Sequence, residues 1–121
     1  MPKKRILLVD DSDTILVYEK LLLGNAFELI TAKNGRLALQ SALQEKPDLI
    51  LMDIMMPEMD GIEALRAMRA QEVIKRTPII MVTTKSEKSR VEICYQFGCS
   101  DFINKPIDKM ELLTKVNKYL G

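Results

Sequence analysis

Apolar residues recur in two rhythms along this chain. Four short runs, Ile6-Leu7-Leu8-Val9, Leu49-Ile50-Leu51-Met52, Ile79-Ile80-Met81-Val82 and Phe102-Ile103-Asn104, are continuous or nearly so. Between them, apolar side chains return every three or four positions. Continuous runs rich in β-branched residues predict strands buried on both faces, as parallel sheets require. The wider spacing predicts amphipathic helices.

Strand and helix signals alternate to the end of the chain. The first strand is expected at about Arg5 to Val9. Ser12 or Asp13 then caps a helix with Ile15, Leu16, Leu22 and Leu23 on its core face and Gly24 as its stop. Phe27 to Thr31 predicts a second strand, followed by Asn34-Gly35 and a helix with Leu37, Ala38, Leu39, Ala42 and Leu43, closed by Pro47. Asp48 to Asp53 is the most apolar strand, expected at the sheet centre. The segment Met55-Met56-Pro57-Glu58-Met59-Asp60-Gly61 reads as a loop with an Asp-Gly turn signal, and Ile62, Leu65 and Met68 open the third helix. Thr77-Pro78 restarts the chain as strand four. A fourth helix is expected after Thr83, with Val91, Cys94 and Phe97 facing inward and Gly98 at its end. The fifth strand, about Asp101 to Asn104, leads through Lys105-Pro106 to a last helix. There Asp108-x-x-Glu111 resembles a capping box, and Leu112, Leu113, Val116 and Leu120 form the buried face.

This (βα)5 pattern predicts an α/β fold, a doubly wound parallel sheet with helices on both faces. The flavodoxin-like strand order 2-1-3-4-5 sets strands 1 and 3 side by side, and ligands of such sheets bind outside the carboxyl ends of the strands. Each of the four runs ends in a residue that phosphate chemistry can use: Asp10-Asp11, Asp53, Thr83 and Lys105. Singly, each has a plainer reading: a helix cap, a loop carboxylate, a second cap, a solvated lysine. Together they converge on one edge. Three neighbouring carboxylates repel, and a hard divalent cation such as Mg²⁺ relieves them while leaving room for water and phosphate. Lys105 can neutralise a phosphoryl oxygen, and Thr83 can donate a hydrogen bond to it. The set suits phosphoryl transfer, with Asp53 as the nucleophile candidate and an aspartyl phosphate as its product.

Composition narrows the picture further. The 121 residues, 47% hydrophobic and 29% charged, fit one globular domain spanning 1–121. A formal net charge of +1 gives no field for binding nucleic acid. Without histidine there is no His base, no His-containing zinc site and no phosphohistidine on this chain. Cys94 and Cys99 are too few for a zinc site and read as small buried thiols. No apolar stretch approaches the roughly 20 residues of a membrane span, and Pro2-Lys3-Lys4-Arg5 leads straight into a strand, so a cytoplasmic protein without membrane contact is expected.

Leu7-Leu8-Val9-Asp10-Asp11-Ser12, the segment from Leu51 to Gly61, Pro78-Ile79-Ile80-Met81-Val82-Thr83 and Phe102-Ile103-Asn104-Lys105-Pro106 resemble the receiver domain of bacterial two-component response regulators, across essentially the whole chain. The resemblance implies that Asp53 accepts phosphate from the phosphohistidine of a sensor histidine kinase or phosphotransfer protein. It implies Mg²⁺ as cofactor, organised by Asp10, Asp11 and Asp53 with the main-chain carbonyl of Met55. Thr83 would be the switch hydroxyl, Lys105 the phosphate-binding lysine and Phe102 the switch aromatic, and the Lys105-Pro106 peptide would be cis. Such a domain is a phosphorylation switch rather than an enzyme in its own right. It signals through the surface of its fourth and fifth helices and fifth strand to an output protein. A stand-alone domain or a piece of a longer regulator would fit equally. Lys85, Lys88, Arg90 and Lys109 lie near that surface, as solvated side chains or as contacts for an acidic partner. One rival is a haloacid dehalogenase-like phosphatase opened by Asp11-Ser12-Asp13, with Asp11 as nucleophile and Asp13 as general acid; the chain shows no cap for it. A second is a receiver-like scaffold that works without phosphorylation.

Overall fold

The computed structural model describes residues 2–121, the side chains of residues 85–87 excepted. Among the described residues five strands, β1 (Lys4–Val9), β2 (Phe27–Ala32), β3 (Leu49–Asp53), β4 (Ile79–Thr83) and β5 (Asp101–Asn104), form one parallel sheet in the order β2-β1-β3-β4-β5. Helices α1 (Asp13–Leu23), α2 (Gly35–Glu45), α3 (Gly61–Arg69) and α4 (Val91–Gln96) make the crossovers, and α5 (Lys109–Leu120) follows β5. The expected flavodoxin-like, doubly wound architecture is the one observed.

Alternation along each strand divides the core in two. Leu7, Val9, Ile50, Met52, Ile79 and Met81 point to the face covered by α2, α3 and α4, where they meet Ala38, Ala42, Leu65, Met68 and Cys94. Ile6, Leu8, Leu49, Leu51, Ile80 and Val82 point to the other, where they meet Leu16 and Leu23 of α1 and Leu112 and Val116 of α5. Every residue of β3 and β4 is buried, which is why those runs carry no polar alternation.

Side-chain caps fix where four helices begin. Ser12 Oγ accepts from the Ile15 N–H at 3.3 Å, Asn34 Oδ1 from Leu37 at 2.8 Å, Asp60 Oδ1 from Glu63 at 2.9 Å and Asp108 Oδ2 from Glu111 at 2.9 Å. Each satisfies a helix-start donor that would otherwise have no partner. The Lys105-Pro106 peptide is cis.

Two expectations need correction. The fourth helix does not follow Thr83 directly, because Lys85–Arg90 forms a 3-10 segment and α4 spans only Val91–Gln96. That segment holds no apolar residue, so no helical stripe exists to bury before Val91. Leu37 is 37% exposed, because the fully buried Ala38 and Ala42 bring α2 close to the sheet along a different stripe.

Two glycines mark close backbone approaches beside the β3–α3 loop. A β-carbon on Gly61 would lie 2.2 Å from the Asp53 carbonyl oxygen, and one on Gly35 would lie 2.3 Å from the Met59 carbonyl oxygen. The Gly61 N–H also donates to the Ile54 carbonyl at 2.8 Å. Gly61→Ala must therefore displace backbone at the end of β3. We expect it to destabilise the fold by about 1–3 kcal/mol, the range for forced overpacking, seen as a lower denaturant midpoint. Gly24→Ala, with open space around it, should lose only the smaller cost of its positive φ.

Candidate functional site

Parallel register sets the functional side chains next to one another. Val9 of β1 pairs with Met52 of β3, so Asp10 and Asp53 leave adjacent strand ends at the same level. Thr83 pairs with Asn104 across β4 and β5, and the Lys105 N–H donates to the Thr83 carbonyl at 2.7 Å. From there the Lys105 side chain reaches back over the sheet edge. Its Nζ lies 3.2 Å from Asp10 Oδ2 and 3.3 Å from Asp53 Oδ1. Carboxylate oxygens of Asp10, Asp11 and Asp53 all lie within 4.8 Å of one another. Asp10 and Asp53 are buried and Asp11 is exposed, which leaves the cluster closed beneath and open above.

The electrostatics follow from that burial. Desolvation holds the Asp10 carboxyl above its ordinary value, against the Ser12 N–H at 2.9 Å and the Lys105 charge, which both favour the ionised form. Burial pulls the Lys105 ammonium down, but the Asp53 and Asp10 carboxylates outweigh it, and the net shift is upward. Three carboxylates against one ammonium leave an anionic excess on hard oxygen donors. That donor set fits a small divalent cation such as Mg²⁺.

Thr83 is fully buried, and its hydroxyl donates to the Thr84 carbonyl at 3.1 Å. Phe102 is half-buried, edge-on to Tyr95 with centroids 6.4 Å apart, and the Lys115 ammonium sits 5.0 Å above its ring. Met55 exposes its side chain in the β3–α3 loop. Asp13, the acid required by the phosphatase reading, is exposed at the start of α1 and pairs with Lys33 at 2.9 Å. Of the cations considered near the fourth and fifth helices, Arg90 lies 3.9 Å from Asp60, Lys88 and Lys109 are exposed, and the Lys85 side chain lies outside the described residues.

One residue here was not anticipated. Glu19 sits on the inner stripe of α1 between Leu16 and Leu23, is 1% exposed, and its Oε1 has no hydrogen-bond partner. Burial, then the Asp10 charge and the weaker Asp53 charge, raise its pKa from 4.5 to about 8, with Lys105 opposing. The signal was available in the sequence as an acid in helical register with two leucines.

A family model described as the response regulator receiver domain matches residues 6–117, and the chain belongs to that family. It is 33% identical over 121 residues to the polar-differentiation response regulator DivK of Brucella anthropi, covering all of this chain and 98% of that protein. It is 36% identical over 118 residues to the alkaline phosphatase synthesis transcriptional regulatory protein PhoP of Bacillus subtilis, covering 97% of this chain and 48% of that one. Among solved structures it is similar to the receiver domain of a sensor histidine kinase from Pseudomonas aeruginosa PAO1, crystallised with a magnesium ion coordinated in the active-site cleft. That match has a TM-score of 0.88, 34% identity and 98% coverage of both chains. Receiver domains are phosphoacceptors of two-component signalling, which bind Mg²⁺ at an acidic pocket and interact with histidine kinases and output partners. The phosphatase reading is not favoured. No helix among the described residues is long and apolar enough to cross a membrane.

Glu19 supplies a pH signature. An acid whose folded pKa lies above its unfolded one binds more protons when folded, so its burial costs stability as pH rises between the two values. With 4.5 unfolded and about 8 folded, stability in chelator should fall by about 3–5 kcal/mol across that window. Glu19→Leu should abolish its share of the slope and raise the melting temperature most at alkaline pH. An unchanged slope in that variant would refute the assignment.

Proposed function

We propose that residues 1–121 act as one receiver domain in which Asp53 accepts the phosphoryl group of a kinase or phosphotransfer phosphohistidine. The observation that carries this reading is the Lys105 ammonium within 3.3 Å of Asp53 and 3.2 Å of Asp10 at the end of the central strand. An Asp53 carboxylate oxygen attacks phosphorus, the P–O bond forms as the P–N bond breaks, and the donor imidazole leaves with its electron pair and takes up a proton. Lys105 holds Asp53 in place through their ion pair, and its charge then balances a phosphoryl oxygen. Asp10, Asp11, Asp53 and the main-chain carbonyl of Met55 would hold Mg²⁺, which when bound supplies positive charge to the transferring group.

Thr83 and Phe102 carry the consequence outward. The Thr83 hydroxyl, bound here to the Thr84 carbonyl, exchanges that partner for a phosphoryl oxygen. The space it leaves lets Phe102 reorient against the face formed by α4, β5 and α5, where an output protein binds. A hydrogen bond to a charged group contributes roughly 1.5–3 kcal/mol, enough to move a two-state population by about one to two decades. Phosphorylation and partner binding then favour each other reciprocally.

Incubation with a small phosphodonor and Mg²⁺ should add one phosphoryl group, seen by intact mass. Asp53→Asn should abolish it, and full labelling of that variant would overturn the proposal. Asp11→Ala should weaken Mg²⁺ affinity by about tenfold or more, whereas Glu45→Ala should leave it unchanged.

Thr83→Ala should still be phosphorylated at Asp53, yet lose most of the phosphate-dependent gain in partner affinity. A phosphorylated variant that gained as much affinity as the parent would remove Thr83 from the switch.

A further inference from the structure

We propose that Cys94 and Cys99 are a peroxide-reactive thiol pair that closes into a reversible disulfide, a modification site at the back of the α4–β5 junction. The inference stands independently of phosphorylation.

The pair is built by the way α4 ends. Gly98 adopts φ +100°, the Cys99 N–H donates to the Cys94 carbonyl at 3.0 Å, and the Gly98 N–H donates to the Tyr95 carbonyl at 3.1 Å. This doubled closure presses the side chain three residues before the helix end against the one just past the turn, ordinarily as an apolar contact. Here both are cysteines, and both belong to the same buried cluster. The turn is held from outside as well. Arg69 Nε donates to the Gly98 carbonyl at 2.8 Å, and the same guanidinium donates to the Thr77 carbonyl at 2.7 Å. The turn that pairs the two positions is thus held by main-chain bonds on one side and an arginine clamp on the other.

The environment also distinguishes the two thiols. The hydrogen bond from Cys99 lowers the Cys94 thiol despite its burial, with the Arg90 charge helping and Asp60 opposing. The same bond and burial push the Cys99 thiol up. Cys94, with the Arg90 charge on its side, is assigned as the attacking sulfur and Cys99 as the resolving one. The Cys94 thiolate displaces hydroxide from hydrogen peroxide, giving Cys94 sulfenic acid. The Cys99 sulfur then attacks the Cys94 sulfur, losing its proton, and water leaves. Two thiols and one peroxide become one disulfide and two waters; sulfur is oxidised and peroxide oxygen reduced. Both sulfurs are buried, at 1% and 7% exposure, so a small neutral oxidant is favoured over bulky reagents.

The bond would join the last turn of α4 to the entry of β5. Tyr95, next to Cys94, packs on Phe102, which lies three residues beyond Cys99. Oxidation would therefore stiffen one corner of the face proposed for the output partner.

The test is limited peroxide treatment of the native full chain, quenching with an alkylating agent in denaturant, and peptide mapping. Trypsin leaves both cysteines in one peptide, residues 91–109, because Lys105 precedes proline. The expected product is that peptide about 2 Da lighter and unalkylated, restored by dithiothreitol. Amide exchange in residues 91–99 should slow by about tenfold. Cys99→Ser should stop at a sulfenic acid on Cys94, trapped as a dimedone adduct. Sulfinic or sulfonic acid on one cysteine of the parent without the lighter peptide would overturn the proposal. So would two thiols that remain alkylatable until the chain unfolds, a result that requires no variant to fold.

Discussion

Three carboxylates meet at one edge of the sheet, and their repulsion would push β1 and β3 apart there without the Lys105 ammonium between Asp10 and Asp53. A unit-charge pair at such a range attracts by about 5 kcal/mol at an effective dielectric near about 20, and desolvation takes back much of it. What survives is geometric. The ammonium fixes the spacing of two buried carboxylates and ties the start of the β5–α5 loop to the centre of the sheet.

That arrangement depends on the core beneath it. The strand ends stay level because β1, β3 and β4 are sealed on both faces by the two apolar clusters. No strand can slip its register by one residue without turning a buried row of side chains to the wrong face. The positions of Asp10, Asp53 and Thr83 are therefore consequences of packing. Glu19 is the exception in that packing, a polar group inside an apolar layer and within the electrostatic reach of the site.

The sheet and its acidic edge were legible because their signals are local and mutually consistent. Runs such as Leu49-Ile50-Leu51-Met52 have few alternatives to a buried strand, and strand order then forces Asp10 beside Asp53. Less legible were features set by how closely elements approach. Leu37 and Ala38 fit a core stripe equally well from spacing alone, and the short distance between α2 and the sheet selects the alanine. The late start of α4 depends on a polar hexapeptide that can follow either helical geometry. Lys105 was readable as a candidate for the site, but its bridge between two carboxylates required coordinates.

The loop after Asp53 is anchored by its backbone: Ile54 N–H to the Val82 carbonyl at 3.2 Å, Gly61 N–H to Ile54 at 2.8 Å, and Gly35 N–H to the Met59 carbonyl at 3.0 Å. Between those anchors Met55, Pro57 and Glu58 are exposed. Nothing in the core responds to their size or charge. Their side chains lie outside the two apolar clusters that carry the sheet. Side-chain changes there act on the surface of the loop and leave the frame beneath it intact.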